Sequence, residues 1–397
     1  MKKRYIESTV ILLALILAGC QEIPPPPTPV SNTSQALQSN PTPTAIAESG
    51  QQDLFVPSSW IAPPPSLVAF LHNQVYTLKS SDSSTFGILS GGMFMTSVGL
   101  VKGDDRFTNV LQALINSGDE VKRKVHGRVL IKVNTVMEAG SLADTQPEAL
   151  RAVLEFLKPL KPSRIWVGES SLNPNPMQLF REHGFLDLQK DYAVEFVDFN
   201  ALESEEIDLL SIEKTPLPAP LCRAYQGCDC LISLSVPKAH SDAVLTLSAK
   251  NMMGFLVNGE AWKIHGVRDF GRDENIVVCT HTIHKNLRTL LKYIRPDIAV
   301  LDGYHSFEAG TVPQCAKGDL VWPKVGVAGA DFVAVDTVTA TVLGFDPQDI
   351  GYLVYSIEDE YGCGDLSRIE IVGSTIEEAR FPLKPPPRVE TLKRWRD

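Results

Sequence analysis

The sequence predicts an α/β fold: a mainly parallel sheet flanked by helices, preceded by a disordered proline-rich N-terminal tether. From about residue 98 onward, short apolar runs typical of strands alternate with segments whose apolar residues recur at helical spacing. Residues 230–236 are almost continuously apolar, which is typical of a central strand buried on both faces. We therefore expect one large α/β domain over residues 67–380, followed by a C-terminal tail over residues 381–397.

The predicted elements follow in chain order. Strands are expected at residues 98–101, 128–133, 164–167, 194–197, 230–236, 298–301 and 369–372. Helices are expected after Asp104 or Asp105, after a capping box at residues 145–148 (Thr-Gln-Pro-Glu), and over residues 283–294, 333–343 and 350–357. Asp331 is expected to cap the helix that follows it.

The first twenty residues are typical of a bacterial lipoprotein leader. Basic residues at 2–4 precede an apolar stretch over residues 9–17, which ends in Leu-Ala-Gly-Cys at Cys20. Small residues before Cys20 give a signal peptidase access to the backbone, and the Cys20 thiol is the atom that takes the lipid. A plain secretory signal, or an uncleaved anchor with a chance cysteine, is the alternative. We expect a signal peptide over residues 1–20 and a protein that Cys20 anchors to the lipid bilayer on the extracytoplasmic side of a bacterial membrane.

Residues 21–66 are rich in Pro, Ser, Thr and Gln. Such a composition cannot bury enough apolar surface to offset the entropy lost on ordering. Proline runs favour extended polyproline II, so this segment is predicted to be a disordered, semi-stiff tether.

The charge of the chain limits its partners. The net charge is −10, and removal of the leader, which takes three basic residues and one acidic residue, makes it −12. An acidic chain lacks the electrostatic footprint of a nucleic-acid-binding protein, so no nucleic acid partner is expected. Six cysteines remain besides Cys20, and their spacing leaves open whether they are free thiols or include a disulfide.

Several motifs of known chemistry do not occur in the sequence. It contains no C-x-x-C-x-x-C run, so no iron–sulfur cluster is expected. It also contains no P-loop, no G-x-G-x-x-G and no G-x-S-x-G, so neither a nucleotide site nor a hydrolase elbow is predicted.

Polar residues follow the predicted strands at their carboxyl ends, which is where open α/β sheets bind ligands. They are Lys132, Asn134, Glu169, Ser170, Ser171, Asp198, Asn200, Lys238, His240, Asp242, Asp302, Tyr304 and His305. Loops are polar in any case, so each residue alone is weak evidence. Their shared position predicts one site at this edge of the sheet.

The histidines add two hypotheses about chemistry at this edge. Imidazole and carboxylate groups come close in sequence, and a divalent metal is one hypothesis, with the ligands His240, Asp242, His265 and Asp269. General acid–base catalysis by His240 or His265 is the other. The spacing matches no standard zinc motif. His281 and His284 are interpreted as solvent-facing helix residues.

Residues 250–254 (Lys-Asn-Met-Met-Gly) suit an anionic group. Lys250 supplies charge, Asn251 supplies directional donors, and Gly254 allows close backbone approach. The structural alternative is a helix C-terminus, in which Lys250 complements the dipole and Gly254 is the cap.

The sequence also resembles domain-of-unknown-function family 362 from about residue 98 to residue 373. The matching stretches are 129–134 (VLIKVN), 145–147 (TQP), 236–240 (VPKAH), 249–254 (AKNMMG), 263–265 (KIH) and 329–336 (GADFVAVD). Val133 stands where the family usually has proline, and residues 237–240 lack one of the family's basic residues. The resemblance implies an α/β fold and one ligand face, formed by Lys132, Asn134, Lys238, His240, Lys250, Asn251 and His265.

Three functions remain open at the level of sequence. The first is an extracytoplasmic enzyme in which Lys238 and Lys250 hold a small anionic substrate and His240 or His265 is the general acid or base, with or without a metal. The second is a lipoprotein that binds the same ligand without turnover. The third is a scaffold with a vestigial cleft.

Overall fold

The structure is a computed structural model that describes residues 96–135, 141–170, 175–266, 276–310 and 320–396. All of these lie in one compact unit, Gly87–Asp397. The predicted leader, the Cys20 lipidation site and the tether over residues 21–66 lie outside the described residues. So do Ser171 and the predicted metal ligand Asp269.

Fourteen strands are present in the described part of the chain. They are β1 Thr96–Lys102, β2 Arg128–Lys132, β3 Arg164–Glu169, β4 Glu195–Asp198, β5 Ser204–Leu210, β6 Pro216–Cys222, β7 Cys230–Ser235, β8 Lys238–His240, β9 Val244–Thr246, β10 Ile298–Gly303, β11 Ser306–Phe307, β12 Leu320–Val321, β13 Val325–Gly329 and β14 Ile369–Gly373.

Ten α-helices join or follow these strands in the described part. They are α1 Arg106–Asn116, α2 Asp119–Lys124, α3 Pro147–Leu157, α4 Pro176–Glu182, α5 Ser248–Asn251, α6 Ile276–Tyr293, α7 Phe332–Val342, α8 Gly351–Glu358, α9 Ile376–Ala379 and α10 Val389–Leu392. None of the helices in the described ranges is long and apolar enough to span a bilayer.

Eight strands form the central sheet in the order β14-β1-β13-β10-β7-β2-β3-β4. Only β13 runs antiparallel to its neighbours β1 and β10, and the other pairs are parallel. Every residue of β7 is buried, which confirms the prediction of a central strand at residues 230–236. The mainly parallel sheet predicted from the sequence is therefore confirmed.

Strand alternation feeds two apolar layers, one on each face of the sheet. In β2, Val129 and Ile131 join the layer that contains α1 and α3, whereas Leu130 joins the layer that contains α6 and α7. Neighbouring side chains of a strand point to opposite faces, so both faces must be covered by helices. This three-layer arrangement leaves the ends of the strands as the places where polar side chains can gather.

Helix starts agree with the sequence in two places and disagree in one. Asp105 caps α1 by accepting from the Thr108 N–H, and Asp331 caps α7 by accepting from Val333 and Ala334. The predicted capping box at Thr145 is wrong, because α3 begins at Pro147 with Gln146 as an N-cap that makes no side-chain bond. The Thr145 hydroxyl instead forms hydrogen bonds with Asn134 and Leu234, at the ends of β2 and β7.

Candidate functional site at the carboxyl edge of the sheet

A buried ion pair links the carboxyl ends of β2 and β3. Lys132 Nζ donates to Glu169 Oε2 at 2.7 Å, and neither side chain reaches solvent. Glu169 also accepts from the backbone N–H groups of Thr135 and Ser170, at 3.2 and 2.9 Å. Burial lowers the pKa of Lys132 and raises the pKa of Glu169, and their mutual attraction opposes both shifts. The pair is well satisfied, which is the condition under which buried charges persist.

Asn251 and Gly254 close over this pair. The Asn251 amide donates to the Lys132 carbonyl and to Ser233 Oγ, both at 3.1 Å, while its oxygen accepts from Lys132 Nζ at 3.4 Å. A Cβ at Gly254 would lie 2.4 Å from both Lys132 Nζ and Glu169 Oε1. The Gly254 backbone lies close to this ion pair, and its approach to an anionic ligand stays a prediction.

Lys238 points into the loops that follow β2. Its Nζ donates to Asn134 Oδ1 at 3.0 Å and to the Ala143 carbonyl at 2.6 Å. The Thr145 hydroxyl fixes the same loops, because it accepts from the Asn134 N–H and donates to the Leu234 carbonyl. Burial lowers the pKa of Lys238 to about 8. Lys238 is therefore a buried amine that two neutral oxygens hold in place.

The hairpin of β8 and β9 carries His240 and Asp242 at its turn. His240 Nδ1 accepts from the N–H groups of Asp242 and Ala243, at 3.0 and 3.2 Å, so Nε2 carries the ring proton of the neutral form. Burial lowers the pKa of His240 well below its ordinary value, and the charge of Lys250 lowers it further. Val244 has a φ of 66°, which is strained for a buried β-branched residue. Backbone strain is thus located at the first residue of β9, which pairs with His240 directly after the turn.

His265 and Asp242 form a second polar pair at this edge. His265 Nδ1 lies 2.7 Å from Asp242 Oδ2, and the ring of His265 stacks on His240 with centroids 5.6 Å apart. Burial raises the pKa of Asp242, but the His265 hydrogen bond and the surrounding positive charges outweigh this and hold it below its usual range. A carboxylate on Nδ1 orients the imidazole and leaves Nε2 for another partner.

Lys250 differs from the other two buried lysines of the edge. It lies on α5, its side chain is almost fully buried, and the Met253 sulfur at 3.4 Å is its hydrogen-bond partner among the described residues. Burial and, to a lesser extent, the charge of Lys238 lower the pKa of Lys250 to about 7, against the opposing effect of Asp242. Lys250 is thus a buried amine whose hydrogen-bond acceptor, the Met253 sulfur, is a weak one.

The structure therefore brings most of the predicted site residues to one edge. Hydrogen bonds join Lys132 to Asn251, Lys238 to Asn134, and Asp242 to both His240 and His265. These groups are close enough to act on one another electrostatically, because in addition to burial the charges of Lys250 and Lys238 lower the pKa of His240, and Glu169 opposes the lowering of the Lys238 pKa by burial. Whether they bind an anion stays a prediction. For Lys132 and Asn251 the contacts favour a structural role, because their donors are engaged within the protein.

A metal site stays a prediction as well. Across the described ranges, no group of three or more His, Cys, Asp or Glu side chains is placed to hold a metal ion. Three of the four predicted ligands lie together, and Asp269 lies outside those ranges.

Asp302 and His305, which the position after a strand had singled out, contact Arg106, which the sequence analysis missed. Arg106, at the start of α1, lies with its Nε 3.0 Å from Asp302 Oδ2 and with its Nη1 3.4 Å from Glu148. Arg106 also contacts His305 Nδ1, while His305 Nε2 contacts the Leu142 carbonyl. Burial raises the pKa of Asp302 to about 6 and lowers the pKa of His305 to about 4. Arg106 carries no sequence signal, because it reaches the edge only through the packing of α1.

The structure decides two points about interior residues that the sequence analysis interpreted otherwise or left open. The prediction that His284 faces solvent is wrong: its side chain is buried, and its Nδ1 accepts from the Tyr352 N–H at 3.0 Å. The described cysteines, Cys222, Cys228, Cys230 and Cys363, are free thiols. Cys315 lies outside the described residues, as does the side chain of Cys279.

A cleft also opens at the opposite, amino edge of the sheet. Its volume is ≈ 490 Å³, and its lining includes Tyr225, Cys228, Asp297 and Tyr361. None of the predicted site residues lines it, so this cleft and the carboxyl edge are separate features of the domain.

Comparisons with known proteins place the domain. No curated protein matches the sequence. Among solved structures, the lactate racemase apoprotein from Thermoanaerobacterium thermosaccharolyticum is similar with a TM-score of 0.41 and 12% identity, over 60% of this chain and 55% of that one. The chain thus spans just over half of that protein's length, and nothing about ligands follows from so distant a likeness. The family model described as Domain of unknown function (DUF362) matches residues 129–341, from β2 through nearly all of α7, and the chain belongs to this family.

Proposed function

We propose that the carboxyl edge binds a small anionic ligand between Lys238 and Lys250. The observation that carries the proposal is a contrast among three buried lysines. Lys132 has Glu169 as a partner at 2.7 Å, whereas within the described ranges Lys238 donates to an amide and a carbonyl oxygen and Lys250 to a thioether. Carboxylates act on both amines from a distance, Asp144 and Glu169 on Lys238 and Asp242 on Lys250, but neither amine forms a direct ion pair with a described residue. A buried ammonium group without a direct ion pair is costly, and a carboxylate or phosphate group of a ligand would supply one.

The probes for this proposal are inorganic phosphate and pyruvate. We expect both to raise the melting temperature of the mature protein, because a ligand that binds only the folded state stabilises it. Lys238→Met and Lys250→Met should each lose most of that increase. Lys122→Met is the matched control, because Lys122 forms an exposed pair with Asp119 on α2. Equal increases in all four proteins would refute the anion site.

The pairing of His265 with Asp242 favours a second, catalytic function at the same edge. The carboxylate would stabilise the imidazolium that forms when His265 takes a proton from a bound substrate. His240 keeps a proton on Nε2 in its neutral form and would donate a hydrogen bond to the same ligand. The protein would then be an enzyme of acid–base chemistry rather than a binding protein or a scaffold.

Exchange of carbon-bound protons separates these functions. In D₂O, an enzyme of this kind would replace the methyl protons of pyruvate with deuterium, which proton NMR detects. We expect His265→Gln to abolish the exchange and to keep the phosphate-induced increase in melting temperature. Phosphate binding without exchange in the unmodified protein would favour the binding protein, and neither effect would favour the scaffold.

We also propose that Cys20 is lipidated and tethers the domain to the extracytoplasmic side of a bacterial membrane. The basic residues 2–4, the apolar residues 9–17 and the small residues before Cys20 support this proposal. Expression of the full chain in a bacterium should give a membrane-bound protein whose N-terminal peptide carries acyl chains by mass spectrometry. Cys20→Ser should leave the protein unacylated, and an acyl-free peptide from the unmodified chain would contradict the proposal.

A further inference from the structure

The Lys250 side chain is held in a defined position by a short, well-anchored helix. Asp336, buried within α7, accepts from the first two N–H groups of α5, Ser248 at 3.0 Å and Ala249 at 3.1 Å. The Ser233 hydroxyl on β7 donates to the Ser248 carbonyl at 3.0 Å. Asn251, which follows Lys250 in the helix, donates to β2 and to β7. The Lys250 amine is therefore presented by a rigid platform, as a reacting group should be.

Lys238 and Lys250 have different acceptors, and this separates their roles. The oxygens of Asn134 and Ala143 accept from Lys238 and stabilise its charged form. The Met253 thioether is a weak acceptor and gives the Lys250 ammonium little stabilisation. Of the two amines, Lys250 is the one whose neutral, nucleophilic form is favoured near neutral pH, and the pKa of Lys250, about 7, agrees with this assignment.

A second cation beside a buried amine is a known means of activating lysine. Desolvation and a neighbouring positive charge both disfavour the ammonium form, so the lone pair becomes available. The charge of Lys238 acts on Lys250 in this direction.

We propose that Lys250 is a nucleophile that forms an imine with an aldehyde or ketone group of the ligand, while Lys238 binds the ligand's anionic group. The inference rests on the proposed anion site and names its substrate class, the small oxo acids. It adds a covalent role for one of the two lysines.

The step is balanced without an oxidant or a reductant. The Nζ lone pair attacks the carbonyl carbon, and the carbonyl π electrons move to its oxygen, which takes up a proton. The nitrogen of the resulting carbinolamine loses a proton, the hydroxyl group is protonated and leaves as water, and the C=N bond forms. His265, paired with Asp242 in the same cluster, is the group that would exchange these protons.

Reductive trapping tests the inference. The mature protein is incubated with pyruvate and sodium cyanoborohydride, which reduces an imine to a stable secondary amine, and the adduct is mapped by peptide mass spectrometry. We expect one adduct per chain, on Lys250, with a labelling rate that rises with pH and has a midpoint near the Lys250 pKa of about 7. Labelling spread over exposed lysines such as Lys122, or absent from Lys250, would overturn the inference.

Variants separate this inference from the anion site. Lys250→Arg keeps the positive charge, so it should lose the adduct and keep the phosphate-induced increase in melting temperature. Lys238→Met should slow labelling by pyruvate at least tenfold. It should slow labelling by acetone, which has no anionic group, by a smaller factor, because acetone loses only the effect of the Lys238 charge on the Lys250 pKa. Phosphate binding without any adduct would refute the imine alone, and the absence of both would refute both proposals. Because the site is mapped on the unmodified protein, the result does not depend on whether a variant folds.

Discussion

Lys132 Nζ donates to Glu169 Oε2 at 2.7 Å directly beneath Gly254, and this buried pair supports the carboxyl edge of the sheet. Both residues end parallel strands that lie side by side in the sheet. The pair holds the ends of β2 and β3 together, and Glu169 neutralises the charge of the buried Lys132. The chemistry of the edge is left to the other two buried lysines.

Removal of one partner should be more harmful than removal of both charges. Lys132→Met leaves the Glu169 carboxylate buried without its counter-ion, which costs about 3 kcal/mol or more. Lys132→Met combined with Glu169→Gln removes both charges and keeps one of the two acceptor oxygens that Thr135 and Ser170 use, so at least ~1 kcal/mol should return. Urea denaturation of the variants measures both values. A double variant no more stable than Lys132→Met would show that the charges are not what makes the pair necessary.

Much of this edge could be foreseen from the sequence, but its pairings could not. The strand-end rule located Lys132, Asn134 and Lys238, because apolar runs reveal parallel strands without knowledge of their order. The Lys132–Glu169 pair also requires the strand order, since β2 and β3 bond side by side only in the folded sheet.

The elements that were missed have weak local signals. Two of the five residues of β13 are glycines, which have no side chain, so the strand lacks the apolar run by which the other strands were recognised. Its antiparallel direction follows from its position between β1 and β10, which no local pattern encodes. The hairpin of β8 and β9 has Val244 at a φ of 66° directly after its turn, a conformation for which sequence rules expect glycine, asparagine or aspartate.

Gly254→Ala should destabilise the protein by about 1–3 kcal/mol, because the added methyl group meets the Lys132–Glu169 pair. A Cβ at Gly254 would lie 2.4 Å from two charged atoms that cannot retreat within a packed interior. Gly227→Ala is the matched control, since a Cβ there would first meet Trp166 at an ordinary 3.7 Å. Denaturant midpoints of the two variants provide the comparison. Equal stabilities would contradict the close packing over the pair.

Lys250→Met should stabilise the ligand-free protein, although the same change at Lys132 destabilises it. The Lys250 pKa falls from 10.5 to about 7 on folding, so the cost of its burial is absent above about pH 10.5 and grows as the pH falls toward 7. At about pH 7 the gain should be on the order of 4 kcal/mol, and at about pH 9 it should be roughly half as large. Urea denaturation at both pH values, without phosphate in the buffer, measures the gain. A loss of stability at both would show that Lys250 has a partner that stabilises its charge.

His284→Gln should protect the protein against acid. The buried His284 has a pKa near 3 in the folded protein and an ordinary value of 6.5 when unfolded. A group whose pKa falls on folding contributes stability above the unfolded value, and that contribution is lost as the pH drops from about 6.5 toward 3. The loss amounts to about 4 kcal/mol over this range. Glutamine does not titrate in this range, and its amide oxygen can accept from the Tyr352 N–H in place of the imidazole. The variant should therefore lose less stability than the unmodified protein between about pH 6.5 and pH 4. His281→Gln, one turn earlier on the same helix and bonded to the Arg394 carbonyl near the surface, is the control. Stability curves against pH decide the matter, because an unchanged acid limb in His284→Gln would mean that His284 does not govern unfolding in acid.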